Sequence, residues 1–86
     1  MELSHTQKLM NDLYGDADRE RGIAATVAWL CEEVGELAQA VRKGTRDQQL
    51  HEIGDVLAWL ASLANQLGLS LEEAMERYAI KHEQRN

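Results

Sequence analysis

Eighty-six residues with six glycines, no proline and no phenylalanine leave room for one domain over 1–86; a chain this short buries only about 60% of its unfolded surface, so length alone favours a partner subunit. Hydrophobic residues at 44% and charged residues at 28% make it globular rather than disordered. Nine Lys and Arg against fifteen Asp and Glu give a formal charge of −6, which repels phosphate backbones and excludes general nucleic-acid binding.

The lack of proline and the wealth of leucine and alanine predict helix throughout. Ser4-His5-Thr6-Gln7 has the S-x-x-Q form of a capping box and Gly15 follows it, which predicts a first helix over 5–14. A second helix is predicted over 22–43; its start is the least defined, because Asp16-Ala17-Asp18-Arg19 reads as a loop or an early turn. Gly44 ends it, and Thr45-Arg46-Asp47-Gln48, a second box, opens a helix over 46–67. Gly68 ends that helix, and Ser70-Leu71-Glu72-Glu73, a third box, opens the last over 71–84. No apolar run nears the roughly 20 residues that span a bilayer, so no membrane association is expected. No signal peptide is visible at Met1-Glu2-Leu3-Ser4-His5, and a single cysteine, Cys31, suits a reducing cytoplasm.

At about 100° per residue, Ile23, Val27, Leu30, Val34, Leu37 and Val41 fall on one face. Ile53, Val56, Leu57, Leu60, Leu63, Ala64 and Leu67 form the matching face of the next helix. With only Gly44 and Thr45 between them, the two must fold back antiparallel. Two short flanking helices cannot cover such long apolar faces. The expected architecture is an all-α helical bundle completed by a second subunit.

Five acids form two clusters: Glu32, Glu33 and Glu36, then Glu52 and Asp55. Residues three apart share a helix face, so Glu33/Glu36 and Glu52/Asp55 are natural pairs. An antiparallel hairpin about Gly44–Thr45 brings Glu36 level with Ile53, beside Glu52, and Glu33 level with Val56, beside Asp55. Asp55 lies further round toward solvent than the others. At an effective dielectric near 20, each close carboxylate pair costs up to about 4 kcal/mol. Either the acids splay into water or they hold cations. An oxygen set without histidine favours Mg²⁺ or Mn²⁺ over zinc, and the missing Glu-x-x-His argues against a di-iron centre.

Both pairs enclose a glycine, Gly35 and Gly54, which costs about 1 kcal/mol in mid-helix and implies close approach or a need for room. Trp29 sits one turn before Glu33 and Trp59 one turn after Asp55, on the same side of the acids. They read either as core or interface residues or as platforms for a base. Each acid pair taken singly reads as a solvated face. His5, His51 and His82 have no ligand spacing with one another, and Cys31 points away from the acids. No phosphate-cradling Gly loop, nucleophile elbow or Cys-x-x-Cys is present.

Glu32-Glu33-Val34-Gly35-Glu36 followed, after fifteen residues, by Glu52-Ile53-Gly54-Asp55 resembles the E-E-x-x-E…E-x-x-D signature of MazG-type nucleoside triphosphate pyrophosphohydrolases. The resemblance runs from Tyr14-Gly15 and Arg21-Gly22 through Leu60-Ala61-Ser62-Leu63-Ala64-Asn65. It implies an all-α fold, hydrolysis of a nucleoside triphosphate to monophosphate and pyrophosphate, and a homodimer or a tetramer built from dimers. By position it implies Glu33, Glu36, Glu52 and Asp55 as Mg²⁺ ligands. Glu32 becomes a further ligand or the group that orients or deprotonates the attacking water, so Glu32 and Glu33 are the catalytic candidates. Family members often carry a lysine and an asparagine in the last helix. Tyr78 and His82 stand there instead, leaving Arg77, Lys81 and Arg85 to bind phosphates, with Trp29 and Trp59 as candidate base contacts.

Two alternatives stand beside this reading. Phosphoribosyl-ATP pyrophosphohydrolase shares the fold and size, but its N-terminal Ser-Tyr-Thr segment has no match here. A non-catalytic helical dimerisation module would keep the acids as a metal-stabilised surface.

Overall fold

The computed structural model describes residues 1–85. Four helices follow in order: α1 (Leu3–Arg21), α2 (Ile23–Lys43), α3 (Arg46–Leu67) and α4 (Leu71–Gln84), with no strand among the described residues. The two long helices α2 and α3 pair as an antiparallel hairpin. α1 lies against α3 and touches α2, and α4 rests on α1.

Three of the four helices have the expected extents, because their ends rest on local chemistry. Thr45 Oγ1 accepts from the Gln48 N–H (3.1 Å) and Gln48 Oε1 accepts from the Thr45 N–H (2.8 Å), which completes the capping box of α3. Before it, Gly44 comes so close to Ala40 that an added Cβ would stand 2.8 Å from backbone atoms. Gly68 ends α3 in the left-handed conformation (φ 69°), with Leu69 N–H donating to Ala64 O at 2.9 Å. Ser70 Oγ then accepts from the Glu73 N–H to open α4.

The first helix departs from expectation at both ends. It runs Leu3–Arg21 rather than 5–14, so Gly15 and the Asp16–Arg19 stretch are helical. Ser4 does not cap; its N–H donates to Glu72 Oε1 of α4 at 3.2 Å. Gln7, expected to close the box, reaches across instead. Its Nε2 donates to Asn65 Oδ1 (3.1 Å) and Leu69 O (2.8 Å), and its Oε1 accepts from the Leu71 N–H (2.7 Å). Tertiary partners have displaced the local cap. Gly15 is buried with Asn11 folded over it, so it makes room rather than ending the helix. The stop is Gly22, whose φ of 88° is open to glycine alone and turns the chain directly into α2.

Fully enclosed residues are small: Gly15, Thr26, Ala40, Ala61, Ser62 and Ala64, together with Asp18. The long apolar stripe stays open. Val27, Val34 and Val41 on α2 and Ile53, Leu57 and Leu60 on α3 are all more than a third exposed. The accessible surface is 6503 Å², against about 5,100 Å² for a folded monomer of this mass. Gly35 and Gly54 have nothing within 4 Å of an added Cβ. Within one chain, neither serves the close helix approach expected of it.

Candidate active site

The hairpin brings the acids of its two helices together, with Glu33, Glu52 and Asp55 partly buried and Glu36 exposed. From α2 come Glu33 and Glu36, and from α3 Glu52. One carboxylate oxygen from each lies within 4.8 Å of the other two. His51, Glu52 and Asp55 gather within the same span, so Glu52 joins both groups. Asp55 is not splayed into water: its carboxylate is half-buried and lies 3.1 Å from His51 Nε2. Glu32 is exposed and belongs to neither group, since one residue turns it about 100° round the helix from Glu33.

Burial and like charge act together on Glu33. Desolvation, then the charges of Glu36, Asp55 and Glu52 and a hydrogen bond with Glu36, raise its carboxyl to about 7. Oε2 of Glu33 and Oε2 of Glu52 are both buried without a hydrogen-bond partner. No Lys or Arg among the described residues pairs with any of the four acids. Shielded acceptors without donors are costly to leave unmet, and a hard divalent cation would satisfy them. The cluster therefore fits such an ion.

Sequence reasoning passed over His51 because it was weighed only against the other histidines. Its signal is local, one position before Glu52 and four before Asp55. Two clefts flank the acids. One, of about 410 Å³, lies toward the turn and is lined by Glu36, Gln39, Lys43, Gln48 and Glu52. The other, of about 280 Å³, lies between α1 and α3 and is lined by Met10, Tyr14, Asp18, Arg21, Asp55, Trp59 and Ser62. Lys43 and Asp18 also line these clefts without a signal in the sequence, since a loop or early turn over 16–19 gives Asp18 no helix face.

Trp29 and Trp59 stack on each other, centroids 5.8 Å apart, and the Arg21 guanidinium lies 4.8 Å over the Trp59 ring. Trp59 lines the second cleft; Trp29 is nearly half exposed. Arg77, Lys81 and Arg85 are exposed at the far end of the chain, where Arg77 covers the ring of Tyr78. They line neither flanking cleft.

Residues 21–86, which hold all four clustered acids, match the MazG nucleotide pyrophosphohydrolase domain. The chain belongs to the MazG family. It is 38% identical to the uncharacterized protein YpjD of Bacillus subtilis (strain 168), covering 94% of this chain and 89% of that protein. It is 34% identical to the uncharacterized protein YvdC of the same organism, covering 94% and 92%. Both alignments are longer than 86 residues, so each relative carries residues that this MazG chain lacks. The domain match begins at Arg21, which leaves nearly all of α1 outside it.

Proposed function

We propose that this chain is a Mg²⁺-dependent nucleoside triphosphate pyrophosphohydrolase, converting an NTP or dNTP and water to the monophosphate and pyrophosphate. The observation that carries this reading is the pair of buried, unpartnered oxygens, on Glu33 and Glu52, aligned across the hairpin of a MazG-family chain. In the proposed site Glu33, Glu36, Glu52 and Asp55 hold the cation, with Mn²⁺ as a substitute that the same carboxylates would suit. When bound, the cation neutralises charge on the phosphate oxygens during an in-line displacement.

The chain's own groups do the rest. Glu33 holds the cation in its ionised form beside the attacking water, since cation binding displaces the proton that burial and like charge favour. Glu32, exposed beside it, orients that water. Lys43, on the cleft between Glu36 and Glu52, faces the leaving pyrophosphate. Arg77, Lys81 and Arg85 line neither cleft of this chain, which leaves Lys43 as the proposed phosphate contact, and Trp59 with Trp29 walls the base side.

The proposed unit is a homodimer, or a tetramer of two dimers, acting in the cytoplasm on the nucleotide pool. The open apolar stripe and the excess surface support the oligomer. That excess, about 1,400 Å², is larger than the roughly 800 Å² per partner that a standard interface removes.

Chromatographic product analysis tests the reaction. NTPs, dNTPs and phosphoribosyl-ATP are incubated with protein and Mg²⁺, with EDTA and Glu36→Gln as controls. Equal monophosphate and pyrophosphate, lost in both controls, is the expected result. Diphosphate with free phosphate would show that a different bond is cut. Turnover of phosphoribosyl-ATP alone would assign the histidine-pathway reaction, and no turnover on any substrate would favour a binding module.

A further inference from the structure

Asp18 is the most enclosed charged side chain of the fold, only 3% exposed, and it sits in the last turn of α1. A carboxylate there faces the negative end of the helix dipole and is unfavourable without compensation. Half of the compensation is visible. Arg21 Nη1 donates to Oδ1 at 2.6 Å, and Gln66 Nε2 and the Gly22 N–H both donate to the Asp18 backbone carbonyl. Oδ2 has no partner. Asp18 also lines the 280 Å³ cleft, which has the Trp59 ring in its wall and Asp55 of the acid cluster at its margin. Arg21, held between Asp18 and the face of Trp59, stiffens that wall.

We infer that this cleft is a nucleobase pocket and that Asp18 Oδ2 selects bases bearing an exocyclic amino group: cytosine, adenine and guanine over uracil and thymine. The inference rests on the proposed nucleotide substrate and extends it to base choice. One free carboxylate oxygen accepts only. An amino group projects from the base edge and donates to it once the carboxylate, which has under 1 Å² of accessible surface on Oδ2, turns toward the cleft. The ring N–H of uracil or thymine is flanked by two carbonyl oxygens, which would be driven against the same carboxylate. Asp55 at the margin places the base beside the acids that would face the phosphates. Asp18 is thus a specificity-determining residue, and it lies outside the segment matched to the MazG domain.

Nucleosides carry no phosphate, so their binding requires neither cation nor turnover. Ligand-observed NMR titration in EDTA is expected to show cytidine, adenosine and guanosine binding at least about tenfold more tightly than uridine and thymidine. Asp18→Asn places an amide where Oδ2 stood and should erase that preference while far-ultraviolet dichroism stays unchanged. Met10→Trp, which fills the cleft from two turns before Asp18 on the same helix, should abolish binding of every nucleoside and carries the test if Asp18→Asn does not fold. Equal binding of cytidine and uridine to the native chain, no nucleoside binding, or an unaltered preference in Asp18→Asn would overturn the inference. NTP hydrolysis without base preference defeats this inference alone. Selective nucleoside binding without hydrolysis defeats the proposed reaction alone.

Discussion

Trp29 and Trp59 stack across the α2–α3 hairpin with ring planes 11° apart, one turn beyond the acids. The offset that levels these rings also levels Glu36 with Glu52 and Glu33 with Asp55. The aromatic pair therefore shares the register on which the carboxylate cluster depends. Aromatic pairs contribute about 0.5–1.5 kcal/mol beyond their buried area. A double-mutant cycle of Trp29→Ala and Trp59→Ala, read by urea unfolding in EDTA, should return a coupling of about that size. Coupling near zero would mean that the rings only share a surface.

Cation binding should stabilise the fold, because the ion meets acceptors that are otherwise unpaired. Melting temperature is expected to rise with Mg²⁺ or Mn²⁺ concentration, as any ligand specific to the native state requires. Glu52→Gln removes a charge from both three-residue groups. It should abolish this rise while raising the melting temperature of the cation-free protein. A rise that survives Glu52→Gln would place the ion elsewhere.

The pH dependence has a definite sign. Glu33 titrates near 7 in the folded chain against 4.5 for an ordinary glutamate, so the native state binds more protons than the unfolded state between those values. For this group, cation-free stability falls as pH rises through that window, and the penalty is absent below pH 4.5. Urea midpoints in EDTA should drop from pH 5 to pH 8, with Glu33→Gln flattening the drop. Calorimetry in buffers of different ionisation heat should show proton release on Mg²⁺ binding near pH 7 and almost none at pH 8.5.

Leu57 and Ile53 are 37% and 55% exposed on the open stripe. A charge there costs little within one chain but is severe inside a subunit interface. Leu57→Asp or Ile53→Asp should reduce the sedimentation coefficient to the monomer value and lower the melting temperature. An unchanged coefficient would place the interface on another face.

Gln7 ties α1 to the junction of α3 and α4 through three side-chain hydrogen bonds. At about 0.5–1.5 kcal/mol for each bond, Gln7→Ala should destabilise by about 1.5–4.5 kcal/mol. Hydrogen exchange should show α1 amides losing protection before those of α3. Uniform loss would mean that α1 and the hairpin open together.

Local chemistry alone accounts for most of the hairpin and its helix ends. Apolar periodicity, the Thr45 and Ser70 caps and the glycines at 44 and 68 specify the hairpin and most helix ends, because each acts within a turn of its own residue. The two acid pairs were legible for the same reason, since a two-residue turn leaves their register little freedom. Tertiary structure decided the rest. Whether Ser4 and Gln7 cap their own helix or bind Glu72 and Asn65 depends on partners more than fifty residues away. Asp18 became a buried cleft residue only once α1 continued through Gly15 and crossed α3. His51 gained a role only when its i+4 neighbour Asp55 turned inward. Those outcomes depend on which groups lose water together, and burial is a property of the packed chain.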